Sequence, residues 1–214
     1  MLEGNGQGLL SERDRAVSAM ARLCAERGYP ETTIDDVLEL ARIDRDTFDR
    51  HFNSKEDCLL AAVNAIMTET VSVVGASYSG DRSEWDSGLI GIRAILQLMS
   101  ANPSFAYVGY ITSRQMAEAK VRDVRDSGVG LLCTMLDRLR SYSPDNRAPE
   151  TAAAAAFGGA EALMRKEVAE GRTEQLERLL PDLIYGATVP FLGQEEALRL
   201  ARRGRKLTED PGEG

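Results

Sequence analysis

The stretch GYPETTIDDVLELARIDRDTFDRHFNSKED, residues 28–57, decides the fold. Gly28 stops a preceding helix, because the left-handed position after a helix suits a residue without Cβ. Thr33 with Asp36 three residues later reads as an N-cap and its capping-box partner. Ile34, Val37, Leu38 and Ala41 then form an apolar face two turns long. Asp44 can cap the next helix, which carries Ile43, Thr47 and Phe48 and ends near His51-Phe52. Ser54 with Asp57 is a further N-cap pair. Two short helices, 33–40 and 44–51, thus meet across Ala41-Arg42-Ile43, the pattern of a helix-turn-helix.

Helical periodicity continues in both directions. Upstream, Ala16, Met20, Leu23, Cys24 and Arg27 share one face of a helix over 11–27. Downstream, Leu59, Val63, Ile66, Met67, Thr70 and Val74 mark a long helix from Ser54 to about Ser77. A loop is expected over 79–83. Further helices are expected over 84–100, 103–117, 119–142, 149–170, 173–191 and 194–203. Pro103 and Pro149 fit first-turn positions, and Pro181 predicts a kink or a break just before it. Strand signals are nearly absent. The expected fold is all-α: a three-helix module with a helix-turn-helix, then a larger helical bundle, about nine or ten helices in total. The expected divisions are a disordered segment 1–10, the module 11–53, the bundle 54–203 and a flexible tail 204–214.

Composition narrows the chemistry. The 214 residues carry 26 Lys+Arg, 34 Asp+Glu and a single histidine, for a net charge of −8. One histidine, His51, excludes a multi-histidine metal site. No phosphate loop, dinucleotide fingerprint, nucleophile elbow or HExxH motif is present. An enzyme is not expected, the only candidate bases being carboxylates such as Glu118 or Glu161; no cofactor or metal is expected either. Cys24, Cys58 and Cys133 are an odd set without a CxxC, read as buried reduced thiols. No run of about 18 apolar residues and no secretory leader is visible, so the expected compartment is the cytoplasm.

The residues quoted above resemble the N-terminal domain of TetR-family transcriptional regulators over about 12–60. The shared features are a glycine and aromatic (Gly28-Tyr29), Thr32-Thr33 opening the second helix, Thr47-Phe48, His51-Phe52, and Ser54-Lys55-Glu56 opening the fourth. The remainder is similar in layout, down to Pro190-Phe191-Leu192-Gly193-Gln194-Glu195-Glu196-Ala197 near the end. The resemblance implies a homodimer that places one helix-turn-helix per subunit in successive major grooves of double-stranded DNA at a palindromic operator. It implies that 54–203 binds a small effector and dimerises, so that the whole is expected to be a ligand-responsive regulator that acts as a repressor. Four positions depart from the pattern. Arg42 stands for the turn glycine, Asp44 for the usual small cap, Asp46 for a glycine early in the recognition helix, and Asp49 for the family tyrosine.

Candidate DNA-binding residues are Thr32, Thr33, Arg42, Arg45, Thr47, Arg50, His51 and Lys55. Each has a plainer alternative: Thr33 as a cap, Thr47 in packing, the arginines solvated or paired with Asp. From Ser11 to Asp57 the module holds eight basic and twelve acidic residues, unusual for a surface that meets a polyanion. Asp46 or Asp49 could accept from a cytosine amine, or serve only as solvated charges. An acidic head leaves a second reading, a TetR-like dimeric sensor or adaptor with weak or lost DNA binding. In the bundle, Met67, Met99, Phe105, Tyr110, Met116 and Met135 are candidates for an adaptable pocket holding a mostly apolar effector. Ala155, Gly158, Gly159, Ala162, Ile184 and Ala187 are candidates for the dimer interface. Arg202, Arg203, Arg205 and Lys206 are expected in a solvated tail.

Overall fold

The computed structural model describes residues 10–78, 84–143 and 148–209. Most of the expected disordered segment, the 79–83 loop and the last five tail positions lie outside them. The described residues form helices and no strand. The described residues fall into two compact units: those up to 69 with 101–126, and those of 70–100 with those from 127 onward. The expected boundary at 53/54 therefore falls inside the first unit.

In the first unit, α1 (Glu12–Arg27) begins where Ser11 Oγ accepts the Asp14 amide, with Glu12 and Asp14 against the positive helix end. It ends at Gly28, whose φ of 84° strains any residue with a Cβ. The α2 helix (Ile34–Ala41) carries a complete capping box between Thr33 and Asp36, and Asp44 caps α3 (Arg45–His51) through the Thr47 amide at 2.7 Å. Between them Arg42 adopts the left-handed conformation, φ 54° and ψ 52°. Arg15 steadies this turn from α1, donating to Ala41 O at 2.9 Å and Arg42 O at 3.4 Å. Arg42→Gly is expected to raise stability by about 0.5–1 kcal/mol, the left-handed penalty less glycine's extra unfolded-state entropy. Denaturant midpoints test it; a loss of stability would show that the arginine side chain contributes more than its backbone costs.

Phe48 and Phe52 are buried, their ring centroids 5.2 Å apart. The long α4 (Lys55–Ser77) seats Cys58 and Leu59 in this core, with the Cys58 thiol 3.7 Å from Ala16 O on α1. By length and composition alone α4 is the one described helix that could cross a membrane, although polar residues such as Asn64, Thr68 and Glu69 interrupt its apolar run. Its apolar residues Cys58, Leu59, Ala62, Val63 and Ile66 are core residues here. The expected helix over 103–117 is interrupted. It runs as α6 (Pro103–Tyr107), a π-helical turn (Val108–Thr112) and α7 (Ser113–Gln115), with Pro103 in the first turn.

In the second unit, α5 (Glu84–Ala101) is held by Arg93 and Gln97 to Glu177, at 3.5 and 3.4 Å. The α8 helix (Ala119–Asp137), which starts in the first unit, tightens into a 3₁₀ turn at Arg138–Tyr142. Trp85 packs edge-on against Tyr142 and lies beside a core of Leu139, Ala152, Ala153 and Phe191. Pro149 lies outside α9 (Ala152–Ala169), correcting the first-turn expectation. Arg140 accounts for the later start, since its guanidinium takes the carbonyls of Ala148, Pro149 and Glu150 and pairs with Asp137.

After α9, a 3₁₀ stretch (Thr173–Leu179) leads into α10 (Leu180–Leu192), so the break expected at Pro181 occurs. Buried Glu167 pairs with Arg172 at 2.7 Å and with Arg178. Arg172 foremost, then Arg178, holds the Glu167 carboxyl at about 2, against an ordinary 4.5. A depressed folded-state pKa means that stability from this cluster is full above about pH 4.5 and is lost as pH falls toward 2. Glu167→Gln is therefore expected to flatten the stability profile in that window, as read by denaturant unfolding at stepped pH. An unchanged acid slope would show that the cluster contributes nothing to acid sensitivity.

The last helix, α11 (Gln194–Glu209), corrects the expectation of a tail fraying from residue 202 and flexible from 204. Gly204 is buried and seated on α10, where an added Cβ would lie 2.2 Å from Ile184 Cδ1. The helix continues because glycine permits that close approach.

Candidate nucleic-acid interface

The caps fix which side of α3 is free. Thr47 and Phe48 turn inward, while Arg45, Asp46, Asp49, Arg50 and His51 are exposed. Much of that free side is engaged with itself. Arg45 Nε lies 3.0 Å from both carboxylate oxygens of Asp49. Arg50 donates to Thr47 Oγ1 at 2.8 Å and stands 3.7 Å from Glu12. Hydrogen bonds from Thr47 hold the Asp44 carboxyl below the usual carboxylate range. Hydrogen bonds from Thr33, aided by Arg27, do the same for Asp36. Both carboxylates thus stay ionised as caps.

Three candidate contacts are redirected by packing. Thr32 is 1% exposed and donates its hydroxyl to Gly28 O at 2.9 Å, closing the α1–α2 connection. Thr47 is 4% exposed and its hydroxyl accepts from Arg50. Lys55 Nζ donates to Tyr29 O at 3.1 Å and Thr32 O at 2.9 Å, and sits 4.1 Å from the Tyr29 ring centroid. A lysine so held braces the module rather than reaching outward. Thr33, Arg42, Arg45, Arg50 and His51 remain accessible. Arg15 and Tyr29 escaped the sequence reading as supports; the signal for Tyr29 was its place directly after Gly28.

Of the pocket candidates, Met67, Phe105, Tyr110 and Met116 belong to the first unit, and Met99 and Met135 to the second. Phe105 and Met99 are buried and the other four are half-buried. Tyr110 lies in the π-helical turn. Of the interface candidates, Ala155, Gly158, Gly159 and Ala162 are exposed on α9 and Ala187 is half-buried. Ile184 is a correction: it is fully buried beneath Gly204, inside its own chain. Burial pushes the Cys24 and Cys58 thiols up to about 11 and about 12, as expected of inert reduced cysteines, whereas Cys133 is partly exposed.

Among the described residues, a capped helix-turn-helix with an exposed second helix heads a set of further helices, an arrangement suited to a helix that enters the major groove. Residues 16–62 match the family model of bacterial regulatory proteins, tetR family. The likeness is by sequence in this module, and beyond it by fold. The fatty acid degradation regulator FadR of Bacillus halodurans is similar with a TM-score of 0.74 at 17% identity, over 88% of this chain and 99% of that one. FadR of Bacillus subtilis, solved in complex with stearoyl-CoA, gives 0.68 at 16% identity, over 84% and 97%. The Streptomyces fradiae regulator TylP gives 0.68 at 18%, over 94% and 98%. No curated protein matches the chain by sequence.

The acidic residues of α3 make a direct test possible. Asp49→Tyr frees Arg45 and removes one negative charge from the exposed side. Duplex affinity is expected to rise roughly tenfold near 0.1 M salt, since each added phosphate contact contributes a slope of about −0.9 in log affinity against log salt. The rise should hold for specific and non-specific sequences alike, read by fluorescence anisotropy. A loss confined to one specific sequence would show instead that Asp49 reads a base.

Proposed function

We propose that this chain is a homodimeric, ligand-responsive transcriptional repressor acting on a palindromic operator. The observation that carries the reading is the capped helix-turn-helix, whose accessible Thr33, Arg42, Arg45, Arg50 and His51 suit contact with phosphates and guanine edges. The exposed small-residue side of α9 supports the dimer, because two glycines there have no packing partner in their own chain. A mostly apolar effector is supported by the methionines and aromatics of α4 to α8 and by the irregular turn at Tyr110. The stearoyl-CoA bound to the B. subtilis protein of similar fold fits the same class. An effector that prefers one spacing of the two recognition helices would shift operator affinity by its differential binding.

The Arg45–Asp49 pair favours a second reading, a dimeric sensor whose head binds DNA weakly. Selection of bound duplexes from a random library separates the two. Recovery of a palindrome supports the repressor. Enrichment of nothing at low salt, with a stable dimer in sedimentation, supports the sensor.

A further inference from the structure

The α11 helix carries five basic side chains, and the chain itself uses two of them. Arg199 pairs with Glu196, and Arg203 with Asp86 at 2.6 Å. The other three, Arg202, Arg205 and Lys206, enter no ion pair or side-chain hydrogen bond among the described residues. Their spacing places them on one side of the helix. They line a groove of about 640 Å³ between α10 and α11. Its apolar wall is Pro181, Leu198 and Ala201, with Leu198 left 37% exposed. Tyr185 adds a phenol, and Asp182 is the one acid lining the groove. Three cations therefore face one carboxylate, on a chain whose net charge is −8. Gly204, seated on Ile184, holds α11 against α10 beneath this row.

We infer that this groove is a binding site for a small amphipathic anion, a phosphate head on a short apolar body. Guanidinium forks match the oxygens of a phosphate, and Lys206 adds a mobile point charge. The apolar body would cover Leu198, which α10 and α11 leave in water. A cleft with low-dielectric walls concentrates the field of its cations, so local attraction prevails over the acidic remainder of the chain. None of the six effector-pocket candidates lines this groove, so the site is separate from the one proposed above.

The test titrates hexyl phosphate, inorganic phosphate and hexanol into the full chain by calorimetry. Hexyl phosphate is expected to bind one per chain and at least roughly tenfold tighter than inorganic phosphate, with no heat from hexanol. Arg202→Gln, Arg205→Gln and Lys206→Gln together should weaken hexyl phosphate by a similar factor while circular dichroism is unchanged. Leu198→Ser should weaken hexyl phosphate and leave inorganic phosphate as it was. Equal binding by the triple variant, or equal affinity for the two phosphates, overturns the site. So does a triple variant that loses affinity only for duplex DNA, which would make the row a nucleic-acid contact. Absence of saturation by hexyl phosphate also overturns it.

Discussion

Replacing Gly204 with valine is expected to destabilise the second unit by about 3 kcal/mol, the upper end of what overpacking a core costs. A Cβ at this position would stand 2.2 Å from Ile184 Cδ1 and 3.6 Å from Leu180 Cγ. Both neighbours are fully buried, so the isoleucine cannot swing into solvent to make room. Valine adds two further methyl groups to the same clash. Its better helix propensity recovers only a few tenths of a kcal/mol over glycine. A double-mutant cycle isolates the cause. Ile184→Ala alone should cost about 2–5 kcal/mol through its cavity, yet in the Gly204→Val background it should cost far less, since the new methyls occupy the space. Chemical denaturation of the four proteins measures this. Additive effects would show that the two side chains do not compete for one volume.

Gly159→Leu tests the opposite situation. A Cβ on Gly158 or Gly159 would meet nothing within 4 Å in the chain itself. Each glycine in a helix interior costs about 1 kcal/mol relative to alanine, so a lone chain gains nothing from keeping them. Beside them Ala155 and Ala162 are exposed, and Leu163 is 40% exposed. Under the proposed dimer, two such surfaces approach closely and leucine forces them apart. An overpacking cost of about 1–3 kcal/mol would raise the dissociation constant about 5- to 150-fold. Helix content of each chain should be unchanged or slightly higher. Sedimentation equilibrium reads the result. A wild-type chain that is monomeric at micromolar concentration, or a leucine variant that associates as tightly, removes the dimer and with it the palindromic operator.

The module was legible in the sequence because its determinants are local. Ser11, Thr33 and Asp44 each cap a helix through an amide three residues on, and Gly28 ends one through its own φ. Such bonds depend on chain neighbours alone, so a pattern of residue types suffices to read them. Arg42 could be named as the residue at the turn, though only the structure shows it bearing a left-handed backbone with Arg15 reaching across to hold the turn's carbonyls. Thr32, Thr47 and Lys55 keep the family's residue types, yet their polar groups are taken up inside the module. Periodicity put Ile184 on the same helix as Ala187 but could not tell which side Gly204 would cover. The sequence by itself determined an all-helical chain with a capped helix-turn-helix, because caps and a 3.6-residue period act within a turn or two. Only the tertiary structure decided which threonines are buried, that α11 continues past Gly204, and which cations remain free to meet a partner. Those outcomes depend on residues tens of positions apart that share one volume or one hydrogen-bond acceptor.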